Sequence, residues 1–267
     1  MATKLLMAKN PEEAIGAKNA SAAFLAGGTE VNRLGSDIAV KAETLISLKK
    51  CEGLSDIEET ADAVKLGAMC TFQQIVESDK TPEYLKEAAL FMASRTKRNM
   101  ATIGGNIAAL RDDSYLMPVL LAVCAEVEVL KADGSEWLCI SSYKEAAEEG
   151  EEMLITAVRI PKDAKVASKR YANTAQSHAV LTMSAAMFED GISMSGAVKN
   201  AGLLHFCDLE KAFNEDPDIS EDKIIEMVRT CTGLETVDDM FGSDAYKRYL
   251  IAVTAFDLHR QLKGKEV

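Results

Sequence analysis

Two stretches decide how this chain is read: A-A-F-L-A-G-G-T-E at residues 22–30 and R-N-M-A-T-I-G-G-N-I-A at 98–108. In the first, the apolar run 22–25 predicts a short buried strand that feeds the pair Gly27-Gly28, and a short helix is expected over 30–34. In the second, Thr102 and Ile103 lead into Gly104-Gly105 and Asn106. Adjacent glycines let successive backbone N–H groups turn into one concavity, because φ is unrestricted and no Cβ intrudes. Such a nest takes phosphate oxygens, and a helix start behind it adds free N–H groups and a favourable dipole. Thr29 and Thr102 contribute hydroxyls, and Asn106 an amide that donates and accepts. Two nests from distant parts of the chain suit a diphosphate. An isolated Gly-Gly pair also serves as an ordinary turn, and neither stretch fits G-x-G-x-x-G or G-x-x-x-x-G-K-[ST]. The residues by themselves therefore define a candidate diphosphate site and no more.

Working outward, Asn10-Pro11-Glu12-Glu13 reads as a capped helix start, and 44–48 as a second strand, so a small, mostly parallel sheet is expected. Val64, Leu66 and Ala68 alternate with polar neighbours as a half-buried strand. Thr71 predicts a cap for a helix through Glu77, and Thr81-Pro82-Glu83 opens a longer helix carrying Leu85, Ala88, Ala89 and Met92. Residues 117–123 read as helix. Val127 and Val129 lie on a strand that turns at Asp133-Gly134 and returns through Trp137, and 154–160 is a strand ended by Pro161. Beyond residue 162 a second unit is expected, with strands 178–188 and 192–198 joined at Asp190-Gly191, a helix over 220–231 and an amphipathic helix over 243–262.

Composition narrows the function. The 267 residues carry a formal charge of −12, which repels nucleic acid. The longest apolar run, 116–125, is about half of the ~20 residues a membrane span needs. The first nine residues lack the apolar stretch of a signal peptide, and the scattered cysteines suggest reduced thiols in a cytoplasmic protein. Six scattered cysteines form no C-x-x-C pair and read as buried, reduced thiols, and three histidines form no local cluster. That pattern supports neither an iron–sulfur cluster nor a zinc site, so no metal ligand is assigned. The twelve methionines read as packing, and no Ser/His/Asp arrangement is visible.

The motifs A-G-G-T-E (26–30) and T-I-G-G-N-I-A (102–108), about 75 residues apart, resemble the flavin-binding signature of the molybdopterin dehydrogenase FAD-binding family. P-V-L-L-A at 118–122, A-E-V at 125–127 and the strand ending at Pro161 follow in that family's order. S-R-T-K-R-N (94–99) and A-Y-K-R-Y (245–249) are similar to its short stand-alone flavoprotein subunits. The resemblance covers essentially the whole chain. It implies an α+β fold: a PCMH-type FAD-binding domain over 1–161, in lobes of about 1–55 and 56–161, then a C-terminal domain over 162–267 with an antiparallel sheet and helices. It implies non-covalent FAD, with Leu25, Ala26, Gly27, Gly28, Thr29, Glu30 and Val31 wrapping the diphosphate and ribityl chain. Thr102, Ile103, Gly104, Gly105 and Asn106 would complete the cradle. Met92, Ala93, Ile155 and Arg170 match positions on the flavin side.

One departure concerns L-R-D-D-S-Y at 110–115, where Tyr115 stands in place of the family's FAD-contacting acid. No residue of this chain is assigned a catalytic role. The resemblance implies an electron relay, taking electrons from the 2Fe-2S clusters of a partner that also holds, or associates with, a molybdopterin subunit. FAD would pass them to NAD or another acceptor, and the chain alone would not hydroxylate a substrate. A scaffold that has lost FAD is the alternative from another class. A stand-alone flavin oxidase is disfavoured by the lack of a covalent-flavin histidine motif and of a substrate domain. Arg95, Lys97 and Arg98 either steer phosphates, dock an acidic partner or simply end a helix. Glu30 either bonds a cofactor hydroxyl or stabilises a helix start, and His178 reads as structural or surface.

Overall fold

The computed structural model describes residues 4–264; the first three residues of the N-terminal stretch read above lie outside the described residues. In chain order the elements are β1 (Lys4–Met7), α1 (Pro11–Gly16), β2 (Ala22–Leu25), α2 (Ile38–Lys41), β3 (Thr44–Ser47), β4 (Ile57–Glu59), β5 (Ala63–Gly67), α3 (Phe72–Glu77), α4 (Glu83–Leu90), α5 (Arg95–Arg98), α6 (Ile103–Ala108) and α7 (Met117–Ala122). They continue with β6 (Glu126–Lys131), β7 (Gly134–Cys139), α8 (Ile140–Glu148), β8 (Leu154–Pro161), β9 (Lys165–Tyr171), β10 (Leu181–Phe188), β11 (Gly191–Val198), β12 (Gly202–His205), α9 (Cys207–Glu215), α10 (Glu221–Thr230) and α11 (Asp244–Leu262). The chain is mixed α+β and divides into two compact units. One comprises residues 1–82, 94–109 and 124–162; the other comprises 83–93, 110–123 and 163–267.

The first unit holds two sheets. A three-stranded sheet in the order β1-β3-β2 is parallel, as the strand–helix–strand rhythm of the first fifty residues requires. A five-stranded sheet in the order β4-β5-β8-β6-β7 is antiparallel. Its alternation is legible in β5, where Val64 and Leu66 are buried on either side of half-exposed Lys65. Local signals fix the helices. The Asn10 side chain accepts from Glu13 N at 2.8 Å with Pro11 at the first helical position. Thr71 and Gln74 form a reciprocal capping box, which contributes on the order of 1 kcal/mol.

The second unit is a four-stranded antiparallel sheet, β12-β11-β10-β9, packed with helices. Leu181, Thr182, Met183, Ser184, Ala185 and Ala186 of β10 are buried in succession, so both faces of that strand are covered. Helices α7 and α11 both pack on it, and α7 is itself buried along its length. Helix α11 is not the amphipathic helix expected. Lys247, Thr254 and His259 are buried with its apolar residues, each satisfied locally. Lys247 Nζ donates to Val237 O at 2.8 Å and pairs with Asp239, Thr254 Oγ1 donates to Leu250 O at 2.6 Å, and His259 stacks on Phe213 at 4.3 Å.

Several expectations need correction. No helix forms over 30–34. The Asn32 side chain donates to Gly28 O at 2.9 Å and Gly35 takes φ +81°, so the segment closes as successive turns. The strand expected from residue 178 begins at Leu181, because Thr174 Oγ1 accepts from Ser177 N at 3.1 Å and folds the preceding residues into a turn. The thiols are all free, but only Cys51 and Cys70 are buried, whereas Cys124, Cys139 and Cys207 are exposed. Burial pushes the Cys70 thiol up to about 11. No helix among the described residues is long and apolar enough to cross a membrane.

Candidate cofactor site

Strand β2 ends at Leu25 and delivers Ala26-Gly27-Gly28-Thr29 to the rim of a cleft of about 420 Å³ within the first unit. Ala26, Gly27, Gly28, Thr29, Glu30 and Val31 line one side. Ala68 and Met69 after β5, Thr102, Gly104, Gly105, Ala108 and Ala109 of the α6 segment, and Met153, Leu154 and Ile155 around the start of β8 complete the wall. Both glycine pairs therefore meet in one cleft, although about 75 residues separate them.

The two pairs are built differently. At Gly27 a Cβ would lie 1.6 Å from Met100 O, so no side chain fits. Gly28 takes φ +76°, a conformation that a Cβ disfavours. The amides of Gly27, Gly28, Thr29 and Val31 donate to no acceptor among the described residues. A row of unspent donors facing a cleft is what an anion requires.

The second pair is not a loop. Thr102 is the N-cap of α6, and Gly104 and Gly105 sit in its first turn with φ outside the left-handed region. All the leading amides are used: Ile103 N donates to Cys70 O at 3.0 Å, Gly104 N to Ala68 O at 2.9 Å, Gly105 N to Thr102 Oγ1 at 3.2 Å and Asn106 N to Thr102 O at 2.9 Å. Here glycine is required for close approach, since a Cβ on Gly104 would lie 2.7 Å from Ala68 Cβ and 2.9 Å from Ala68 O. The expectation of a second amide nest is thus corrected. These residues offer the cleft a flat surface free of side chains rather than donors.

Among the other expected residues, Leu25 lies under the first loop at the end of β2, Ile155 is a buried wall residue and Ile103 is fully buried behind the cleft. Asn106 is on α6 but does not line the cleft. Met92, Ala93, Tyr115 and Arg170 belong to the second unit. Met92 is buried and Ala93 exposed. The Arg170 guanidinium lies 5.4 Å from the Tyr115 ring centroid and donates to Ser177 O. Burial raises the Tyr115 hydroxyl pKa, more than the nearby Arg170 charge lowers it.

The acids beside Tyr115 are committed within their own unit. Asp113 accepts both Arg111 Nε and Nη2, at 2.6 and 2.7 Å, and His178 Nδ1 lies 2.5 Å away. Asp112 holds Lys199 at 2.8 Å and Asn200 N at 2.9 Å. Burial works against the Asp113 carboxylate, but Arg111, Lys199 and His178 outweigh it and lower its pKa. Both arginines of the basic run are occupied: Arg95 pairs with Glu77 at 2.7 Å and buried Arg98 donates to Gln73 Oε1 at 2.9 Å. Glu30 pairs with Arg33 at 2.8 Å. Sequence reading missed Lys18, which lines the cleft and is held by Glu152 at 2.7 Å. No local motif marks Lys18; only the fold brings it there.

Residues 1–163 match the family described as the FAD binding domain in molybdopterin dehydrogenase, and the chain belongs to that family. FAD is therefore its cofactor class and oxidoreduction its field of chemistry. Over 251 residues the chain is 32% identical to the uncharacterized protein YgfM of Escherichia coli strain K12, covering 92% of this chain and 90% of that one. It is 33% identical over 147 residues to the carbon monoxide dehydrogenase medium chain of Afipia carboxidovorans, covering 51% of this chain and 50% of that one. Among solved structures, the cyanide-inactivated Cu,Mo-CO dehydrogenase is similar with a TM-score of 0.85 at 20% identity over 100% of both chains. Quinoline 2-oxidoreductase from Pseudomonas putida 86 is similar with a TM-score of 0.83 at 17% identity, over 99% of this chain and 98% of that one. At those identities the likeness establishes the fold, the α+β architecture of PCMH type expected from the two motifs.

Proposed function

We propose that this chain is the FAD-carrying subunit of a molybdenum hydroxylase and relays electrons rather than hydroxylating a substrate itself. The observation that carries the reading is the row of unspent amides at Gly27, Gly28, Thr29 and Val31, which opens on a cleft whose other walls are largely apolar. The residues present fit FAD. The amides would hold the diphosphate, Gly104 and Gly105 would let the ribityl chain lie close to α6, and Met153, Leu154 and Ile155 would shield the cofactor from water. Bound there, FAD would supply the exchange between single electrons from iron–sulfur centres and electron pairs for NAD or another acceptor. The protein's part is binding, orientation and electrostatics, so no general base is needed.

The assignment of Met92, Ala93, Tyr115 and Arg170 to the flavin side rests on the resemblance, and so does the pairing with a molybdopterin subunit and a 2Fe-2S subunit in the cytoplasm. Purification from the native host under gentle conditions tests the reading. The chain should carry one FAD that acid releases, and it should co-purify with molybdenum and iron–sulfur polypeptides. Alone, it should move electrons from NADH to a dye at most slowly. Failure to take up added FAD would leave only a scaffold role, and substrate hydroxylation by the isolated, metal-free chain would make it a self-sufficient oxidase.

A further inference from the structure

In the second unit, three side chains of different chemistry meet at the junction of β12 and α9. His205 ends the strand, Cys207 opens the helix and Glu210 lies one turn on. An imidazole nitrogen, the thiol sulfur and a carboxylate oxygen of these residues all lie within 4.8 Å of one another. We propose that His205, Cys207 and Glu210 form a zinc site, with the fourth position left to water or a small ligand.

The donor set suits the ion. Imidazole, thiolate and carboxylate together match zinc, whereas hard cations such as magnesium avoid sulfur. Bond lengths of about 2.0–2.3 Å in a tetrahedron put ligand atoms roughly 3.3–3.7 Å apart. The cluster is close to that already. His205 Nε2 lies 2.8 Å from Glu210 Oε1, and the exposed side chains of His205 and Cys207 have the freedom to close the rest. The Glu210 carboxylate is held in place beside His205, because Met194 N donates to its Oε1 at 2.5 Å. Such backbone support of a carboxylate ligand is the usual outer shell of a metal centre. His205 and Cys207 also line a cleft of about 680 Å³ together with Cys231 and Met227, so the open position would face space a ligand can enter. Zinc binding would release the thiol proton of Cys207 to solvent and take an imidazole nitrogen of His205 that carries no proton. H-x-C-x-x-E spans a strand end and a helix start and matches no familiar ligand spacing, so no local motif announces the site.

The test uses the full chain, reduced and stripped of metal, titrated with zinc against a chromophoric chelator. Cobalt(II) serves as the spectroscopic substitute. Wild type should bind one zinc per chain. Its cobalt form should show a thiolate-to-metal charge-transfer band with the intense visible bands of tetrahedral geometry. His205→Ala, Cys207→Ser and Glu210→Gln should each lower zinc affinity at least about tenfold. Cys207→Ser should also abolish the charge-transfer band, while Cys124→Ser and Cys139→Ser leave both readouts intact. Circular dichroism separates lost ligands from lost structure, and Glu210→Gln keeps an acceptor for Met194 N. Wild type that fails to compete with the chelator would overturn the proposal, as would a charge-transfer band that survives in Cys207→Ser or disappears in Cys124→Ser.

Discussion

In the first glycine pair, the amides of Gly27 and Gly28 face a cleft without an acceptor among the described residues. In the second, Gly104 N is spent on Ala68 O and Gly105 N on Thr102 Oγ1. The pairs read alike in sequence, each a Gly-Gly beside a threonine, and both line the same cleft. Their glycines answer different demands. Gly28 needs its φ of +76°, and Gly27 needs room beside Met100 O, so that the chain can turn with its donors outward. Gly104 needs contact with Ala68, so that a helix can lie flat against the strand end. A glycine pair is thus a phosphate cradle only when its amides have nowhere else to go.

The sharpest way to break this contrast is Gly27→Val. Its Cβ would collide with backbone at 1.6 Å, and overpacking of that kind costs up to about 3 kcal/mol. We expect a large drop in melting temperature together with loss of flavin absorbance. Gly28→Val should separate binding from folding. Strain at positive φ costs about 1–2 kcal/mol, so the variant should keep native circular dichroism while FAD affinity falls at least tenfold. Gly104→Ala should do the reverse, losing roughly 1–3 kcal/mol in urea unfolding through its clash with Ala68, with a smaller affinity change than Gly28→Val. Equal affinity losses in those two variants would remove the distinction between the pairs.

Thr102→Val removes the cap of α6 and should cost about 1 kcal/mol of stability, measured by thermal melting, with FAD affinity changed only a few-fold. The smallest effect concerns the other unit. Asp113 has a pKa lowered from 3.8, so its contribution is complete above the unfolded value of about 3.9 and is lost as pH falls through the folded value. Melting temperature should therefore fall more steeply below about pH 4 in wild type than in Asp113→Asn. Parallel acid limbs would show that Asp113 is not held by Arg111, Lys199 and His178 as described.

The parallel sheet, the capped helices α1 and α3 and both hairpins were legible because each is announced by residues within a few positions of one another: Asn10-Pro11, Thr71 with Gln74, and the alternation of β5 and β6. Edge strand β9, K-V-A-S-K-R-Y, was not, since it lacks an apolar alternation and only pairing with β10 makes it a strand. The glycine motifs meet in one cleft, yet where each amide points was hidden. Gly104 is satisfied by Ala68 and Gly27 abuts Met100, contacts that no local pattern encodes. Lys18 reached the cleft in the same unannounced way.

The most direct test of the central claim is an amide proton–nitrogen correlation spectrum of the deuterated, flavin-free protein titrated with FAD. If the first pair alone cradles the diphosphate, the amides of Gly27, Gly28, Thr29 and Val31 should move strongly downfield as they gain phosphate acceptors. Gly104, Gly105 and Asn106 should keep the shifts of amides already hydrogen-bonded inside the protein. Downfield movement concentrated at Gly104 and Gly105, with Gly27 and Gly28 unchanged, would contradict the account.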